Sequence, residues 1–326
     1  MIGGRRLAPV AWSLVALAWV AAIGVNHLLP PELQNPFFTF ANQRTIVTQT
    51  VIVGLCTLGM TLVIVSGGID LSVGSTVALA SVVAALALRA GLGAAAAVAA
   101  GVAAGTAVGL ANGLLVTRLR VIPFIVTLGT LGIARGAAKW LGDQEPVRVA
   151  PELARGFSKL MQKTPEAGWL LVAPGVWMLL LLAAVMAIVL RRTVLGAWTV
   201  ALGSSEATAR LCGVPVARTR VVLYALCGLF AGLAGAMQLS RLTVGDPTTA
   251  AGLELDVIAA VVIGGGSLAG GEGSVVGSLA GAFLMAALKN LCNLLGVQNH
   301  SQEMLVGAII VAAVALDHWR HARAAA

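Results

Sequence analysis

Val65-Ser66-Gly67-Gly68-Ile69-Asp70-Leu71-Ser72-Val73-Gly74-Ser75 (VSGGIDLSVGS, residues 65–75) sets one carboxylate, three hydroxyls and three glycines between two almost wholly apolar runs. An Asp at the centre of a membrane helix costs roughly 2.5–3.5 kcal/mol. The cost falls if Gly67 and Gly68 break the helix and Asp70 begins the next one. Its carboxylate would then accept from the free amides near Ser72 and Val73 and face the positive helix end. A broken helix with a polar cap also suits the wall of a water-filled path or gate, where irregular backbone is tolerated. A proton relay is the third reading, and no ionisable partner for Asp70 is evident nearby in the sequence.

The composition around that stretch explains why a membrane is invoked. Of 326 residues, 59% are hydrophobic and 10% charged, with a mean hydropathy of +0.95. An average soluble domain is nearer ~45–50% apolar and ~25% charged. Most of this surface must therefore meet lipid. The formal charge of +8 does not indicate nucleic acid, because the basic residues sit in short stretches between apolar runs and aromatics are 5% of the chain. Cys56, Cys212, Cys227 and Cys292 are scattered without metal or disulfide spacing, so free thiols are expected, buried by default.

A window of about 19 residues separates the apolar runs. The expected crossings are 8–25, 45–65, 72–90, 93–116, 121–141, 169–190, 219–239, 254–268, 274–295 and 303–317. The result is an all-α polytopic bundle of about ten helices, several of them broken by glycine, in one domain covering 1–326. The basic start and apolar run at 8–25 could be a cleaved signal peptide, but the run is long and no small-residue cleavage site clearly follows, so a retained helix is expected. Arg5, Arg6, Arg118, Arg120, Arg191, Arg192, Arg210, Arg218, Arg220, Arg320 and Arg323 fall on one side of this topology. The positive-inside rule makes that side, and both termini, cytoplasmic. Residues 142–168, with Pro146, Pro151 and Pro165, form the long outer loop. Residues 191–220 form the long inner one. Within it SSEATARLCG reads as a short helix parallel to the membrane, capped by Ser204 or Ser205, stopped by Gly213-Val214-Pro215, with Glu206 and Arg210 at i,i+4.

Catalysis finds little support. The second glycine cluster, VIGGGSLAGGEGSVVGS (262–278), lacks the Gly-Lys pair of a phosphate loop, and no such pair occurs anywhere in the chain. Its Gly265-Gly266-Ser267 has neither the preceding strand nor the histidine and acid of a nucleophile elbow. Close helix packing or a tight turn accounts for the glycines better. His318 and His321 lie on a basic tail that suits interfacial anchoring rather than a metal. Asn112, Gln238, Lys289, Asn290 and Asn293 read first as interhelical hydrogen-bonding groups, with Lys289 able to snorkel.

Four stretches in order, GMTLVIVSGGIDLSVGSTVALA (59–80), GLANGLLVTRLRVIPFIVTLGTLGIARGAA (109–138), ARLCGVPVARTRVVLY (209–224) and LELDVIAAVVIGGGSLAGGEGSVVGSLAGA (253–282), resemble the membrane-spanning permease subunit of bacterial ATP-binding-cassette importers of the ribose type. The resemblance implies a multi-pass protein of the inner membrane that translocates a monosaccharide by alternating access. It implies a second permease subunit, identical or not, a cytoplasmic ATPase that carries the ATP and Mg, and a periplasmic sugar-binding protein. The chain itself would be no enzyme and would hold no cofactor. It implies an ATPase-coupling role for the inner helix, on Ser205, Glu206, Ala207, Ala209, Arg210 and Gly213. Ser204-Ser205 stands where Gly-Asn is usual, and Cys212 where Ser is common. Gly67, Gly68, Asp70, Ser72, Asn112, Gly265 and Gly266 are pathway candidates. Related permeases for branched-chain amino acids or nucleosides are the alternative within the class. An ion-coupled secondary transporter is the alternative outside it, and would need an ionisable pair inside the bundle.

Overall fold

The computed structural model describes residues 36–163 and 170–325. The expected first crossing, 8–25, lies outside them, as do residues 164–169 of the long outer loop. Every other apolar run is a helix: α1 (Phe40–Val65), α2 (Val73–Arg89), α3 (Ala94–Leu119), α4 (Pro123–Leu141), α6 (Pro174–Arg192), α9 (Val216–Leu242), α10 (Leu253–Ile263), α11 (Val275–Leu294) and α12 (Asn299–Ala325). Between α4 and α6 lies the short α5 (Pro151–Ser158). Between α6 and α9 lie α7 (Val194–Ser204) and α8 (Glu206–Leu211). Five of these helices, α1, α3, α6, α9 and α11, are each long and apolar enough to cross a membrane. The protein is an all-α polytopic membrane protein.

Local chemistry sets the boundaries. Proline occupies the first turn of α4, α5 and α6, where its missing N–H costs nothing. Hydroxyl caps open α1 (Thr39), α7 (Thr193), α8 (Ser205) and α11 (Ser274), each accepting from a backbone N–H three residues on. Threonines inside α1 bond back to their own helix, as Thr50 Oγ1 to the Ile46 carbonyl at 2.8 Å and Thr61 Oγ1 to the Thr57 carbonyl at 2.6 Å. Their hydroxyls therefore need no partner in lipid or core.

The hub is α9, which packs on α3, α2 and α1. Its seam with α3 is a run of facing glycines. Gly101, Gly105, Gly109 and Gly113 recur every fourth residue along α3 and are buried there. They meet Gly228, Gly232 and the backbone of Val221 and Tyr224 on α9. A side chain would hold the two backbones apart, and glycine lets dispersion contacts run the length of the seam.

Two corrections to the expected elements follow. The run 254–268 is helical only to Ile263, because Gly264 and the left-handed Gly265 (φ +88°) turn the chain. Ser204 closes α7 instead of opening the inner helix, and α8 spans Glu206–Leu211, with Gly213 (φ +80°) just past its end. A separate α7 was not foreseen.

The two ends of the bundle are distinct. At one end β1 (Val147–Arg148) pairs antiparallel with β2 (Val244–Gly245), and Ser240 Oγ donates to the Phe157 carbonyl at 2.8 Å, seating the 142–163 segment on the end of α9. At the other, arginine-rich end, Gly271 N donates to the Val65 carbonyl at 2.8 Å.

Candidate functional site

The glycine turns read separately in the sequence meet at the arginine-rich end. A Cβ on Gly203, at the end of α7, would stand 1.9 Å from the Val65 carbonyl oxygen and 2.4 Å from Gly271 N. One on Gly270 would stand 3.0 Å from the Cα atoms of both Gly67 and Gly203. Gly67 (φ +79°) and Gly270 (φ +88°) are left-handed, which glycine alone adopts without strain. The base of α8 is thus keyed, backbone to backbone, to the end of α1 and to the turn between α10 and α11. Gly265 and Gly266 lie in that same turn. Gly68 lies against Tyr224, whose hydroxyl would meet an added Cβ at 2.6 Å.

On α8, Ser205 Oγ accepts from Thr208 N at 3.2 Å, so Ser205 is the cap. Glu206 bonds Arg210 one turn on, at 2.8 Å, and Arg220 of α9 at 2.5 Å. The second partner was not foreseen, since it lies fourteen residues away. Partial burial works against ionisation of Glu206, but hydrogen bonds and charge from Arg210 and Arg220 outweigh it and hold the carboxyl below its ordinary range. Ala209 is buried beneath the helix against Leu202 and Val216, while Leu211 is 89% exposed. Ala207 and Gly213 complete the short segment. Beside it a cavity of about 560 Å³ opens between α8, α9 and the α3–α4 turn. Arg120, Arg210 and Arg220 line it with only Glu206 to offset them, so its lining is net positive and favours an acidic group. Cys212 is exposed, and Cys56, Cys227 and Cys292 are buried; all four are free thiols.

Asp70 is buried and lies before its helix, not at the cap, which is Ser72. Its Oδ1 accepts from Ser72 N at 2.9 Å and Ser72 Oγ at 2.6 Å. Asn112 of α3 donates to Ser72 Oγ at 2.9 Å and to both carboxylate oxygens at 3.4 Å. Three of the pathway candidates are therefore one buried hydrogen-bond cluster that pins the turn to α3. Asp70→Asn keeps an oxygen acceptor there and should retain most folded protein. Asp70→Leu strands the Ser72 N–H, the Ser72 hydroxyl and the Asn112 amide, each at ~1–3 kcal/mol. Detergent-solubilised Asp70→Leu is expected to be largely aggregated on size exclusion, with Asp70→Asn near the parent. Equal loss in both would mean that the charge, not the acceptor, holds the turn.

The other intramembrane polar groups mostly do what the sequence implied. Asn290 and Asn42 exchange amide hydrogen bonds at 2.9 and 3.1 Å between α11 and α1. Gln302 Nε2 donates to Asn293 Oδ1 at 2.9 Å, and Gln238 Nε2 to Thr249 Oγ1 at 2.8 Å. Lys289 differs. Instead of snorkelling it pairs with Asp256 of α10, thirty-three positions away. Nothing in the local sequence sets Asp256 apart, because only the packed bundle brings it to Lys289. Arg135 of α4 donates to the Pro247 and Thr249 carbonyls at 2.8 and 2.7 Å, tying the segment after β2 to the bundle. Among the described residues no cluster of three His, Cys, Asp or Glu side chains could hold a metal.

The family model described as branched-chain amino acid transport system / permease component matches residues 43–314. The ribose import permease protein of Escherichia coli is 39% identical over 97% of this chain and 98% of its own. That of Bacillus subtilis is 38% identical over 98% and 94%. The L-arabinose transport system permease protein of Escherichia coli is 34% identical over 87% and 84%. No solved structure matches.

Proposed function

Because this chain belongs to the family of permease components of branched-chain amino acid type transport systems, which its sequence matches over residues 43–314, we propose that it is the membrane-spanning subunit of an ATP-driven importer of a monosaccharide. The observation that carries the cargo is the near full-length similarity to two ribose import permeases and an arabinose permease, while the amino-acid label comes from the family description alone. A pentose is the cargo of choice.

In this reading about ten helices cross the bacterial inner membrane, with both termini and the arginine-rich end cytoplasmic. Two permease subunits form the pathway. An ATPase pair, carrying ATP and Mg, docks on α8 and the arginine-lined cavity, and a periplasmic sugar-binding protein docks on the end carrying β1 and β2. Closure of the ATPase pair pushes α8. The glycine joint passes the displacement to α1 and the α10–α11 turn, and the pathway opens outward; hydrolysis reverses it. In this reading the energy comes from the separate ATPase, in keeping with a sequence that has no Gly-Lys pair of a phosphate loop.

The Asp256–Lys289 pair is the kind of group an ion-coupled transporter would use, so that reading stands second. Proteoliposomes holding the permease with its ATPase and binding protein decide between them. ATP-dependent pentose uptake insensitive to ionophores is expected. Uptake abolished by an ionophore and indifferent to ATP would favour the second reading.

A further inference from the structure

Toward the end of the bundle that carries β1 and β2, α1, α9, α10 and α11 enclose a cavity of about 310 Å³, within the ~300–1,000 Å³ range of small-molecule sites. Its polar lining is Gln49, Gln238, Arg241, Asp256, Lys289 and Asn293. Its floor is the start of a half-length helix. α10 has 11 residues, or ~16 Å at ~1.5 Å per residue, about half of a ~30 Å hydrocarbon core. The segment after Leu242 runs inward to reach that start, turning at left-handed Gly252 (φ +77°). A discontinuous helix that ends inside a bundle commonly marks a solute site.

We propose that this cavity is a sugar-handling site of the permease itself, through which specificity is exerted on a neutral polyhydroxylated solute. Each sugar hydroxyl is both donor and acceptor, so a matching wall must offer both, closely interleaved. Here the Asp256 carboxylate accepts, Lys289 and Arg241 donate, and the amides of Gln49, Gln238 and Asn293 do either. Asp256 is 4% exposed and Lys289 41%, so the pair spans from the buried floor into the open cavity. The pair is thus half wet, and its charged groups line the cavity within reach of a solute there. Gln238 and Asn293 each commit one amide atom to a neighbour, and each amide carries a second polar atom.

The inference rests on the monosaccharide reading, and its test separates the two. The complete transporter, with ATPase and binding protein, is reconstituted with radiolabelled ribose and arabinose. Gln238→Leu, Asn293→Leu and the double variant Asp256→Asn/Lys289→Met are compared with the parent. Expected is a fivefold or larger change in the ratio of ribose to arabinose uptake, with the binding protein's affinities and the stimulated ATP hydrolysis unchanged. Ratios within twofold of the parent in folded variants overturn the site. If the double variant fails to accumulate, the Gln238→Leu and Asn293→Leu ratios decide. A parent that moves neither sugar, while hydrolysing ATP in response to a cargo that is not a monosaccharide, overturns the monosaccharide reading and this site with it.

Discussion

Gly109→Leu is expected to leave almost no folded permease in the membrane. Even the first carbon of the new side chain would lie 2.2 Å from the Tyr224 carbonyl oxygen and 2.9 Å from Gly228 Cα, all of it backbone. Backbone cannot swing aside as a side-chain end can, so α3 and α9 must separate along the seam. Exchanging an interior glycine for a better helix former gains up to ~1 kcal/mol, while overpacking a fitted contact costs ~1–3 kcal/mol and more where no rotamer relieves it. The clash wins. It also travels, because Tyr224 lies against the Gly68–Ile69 turn, its hydroxyl 3.5 Å from the Ile69 carbonyl. A tenfold or greater loss of monodisperse protein on size exclusion is the measurement. Gly156→Ala is the control: that glycine is helical and an added Cβ meets nothing. It should accumulate as the parent or better. Parent-like Gly109→Leu would mean that the two helices do not touch along this seam.

The second large effect should appear with folding intact. Glu206→Ala/Arg210→Ala removes a partly exposed ion network whose salt bridges are worth ~0–1 kcal/mol each at such sites. The Ser205 cap and the buried Ala209 contact remain, so α8 should persist. What disappears is one of the three arginines facing the cavity and the Glu206 carboxylate that holds Arg220 in place, while Arg120 and Arg220 themselves remain. ATP-driven uptake is expected to fall tenfold or more with protein level unchanged. Cys212, the exposed cysteine of the four, reports the cause. In the parent, added ATPase should shield it from a maleimide, and in the double variant the shielding should be lost. Normal uptake together with normal shielding would remove α8 from the coupling pathway.

The sequence carried much of the fold because apolar runs of crossing length are a local property. Nine runs read from windows are nine helices among the described residues. The end of α10 was misplaced because a tertiary turn decides it, and α12 runs on to Ala325, past the expected 317, because a helix need not stop where its apolar run does. At Gly264–Gly265 a window average still runs apolar, while the left-handed backbone has already ended α10. α7 escaped because eleven residues are too few for a crossing and carry no amphipathic stripe. The glycine seam was legible and unread: Gly101, Gly105, Gly109 and Gly113 form an unbroken small-xxx-small repeat, and Gly228 and Gly232 repeat the spacing on the partner. For the candidate site, Glu206–Arg210 could be read because i,i+4 is fixed by helix geometry. Arg220 and the Asp256–Lys289 pair could not, because only the packed bundle sets those distances. Asp70 and Asn112 were each singled out, but forty-two positions hide that they share one cluster.

The central claim is that this chain is a conduit worked by an engine on other chains. Purified permease in sealed vesicles, given pentose and an ion gradient but no ATPase, should equilibrate the sugar at most. Addition of the ATPase, the binding protein and ATP should then concentrate it. Accumulation of sugar against its gradient by the permease alone would contradict the account.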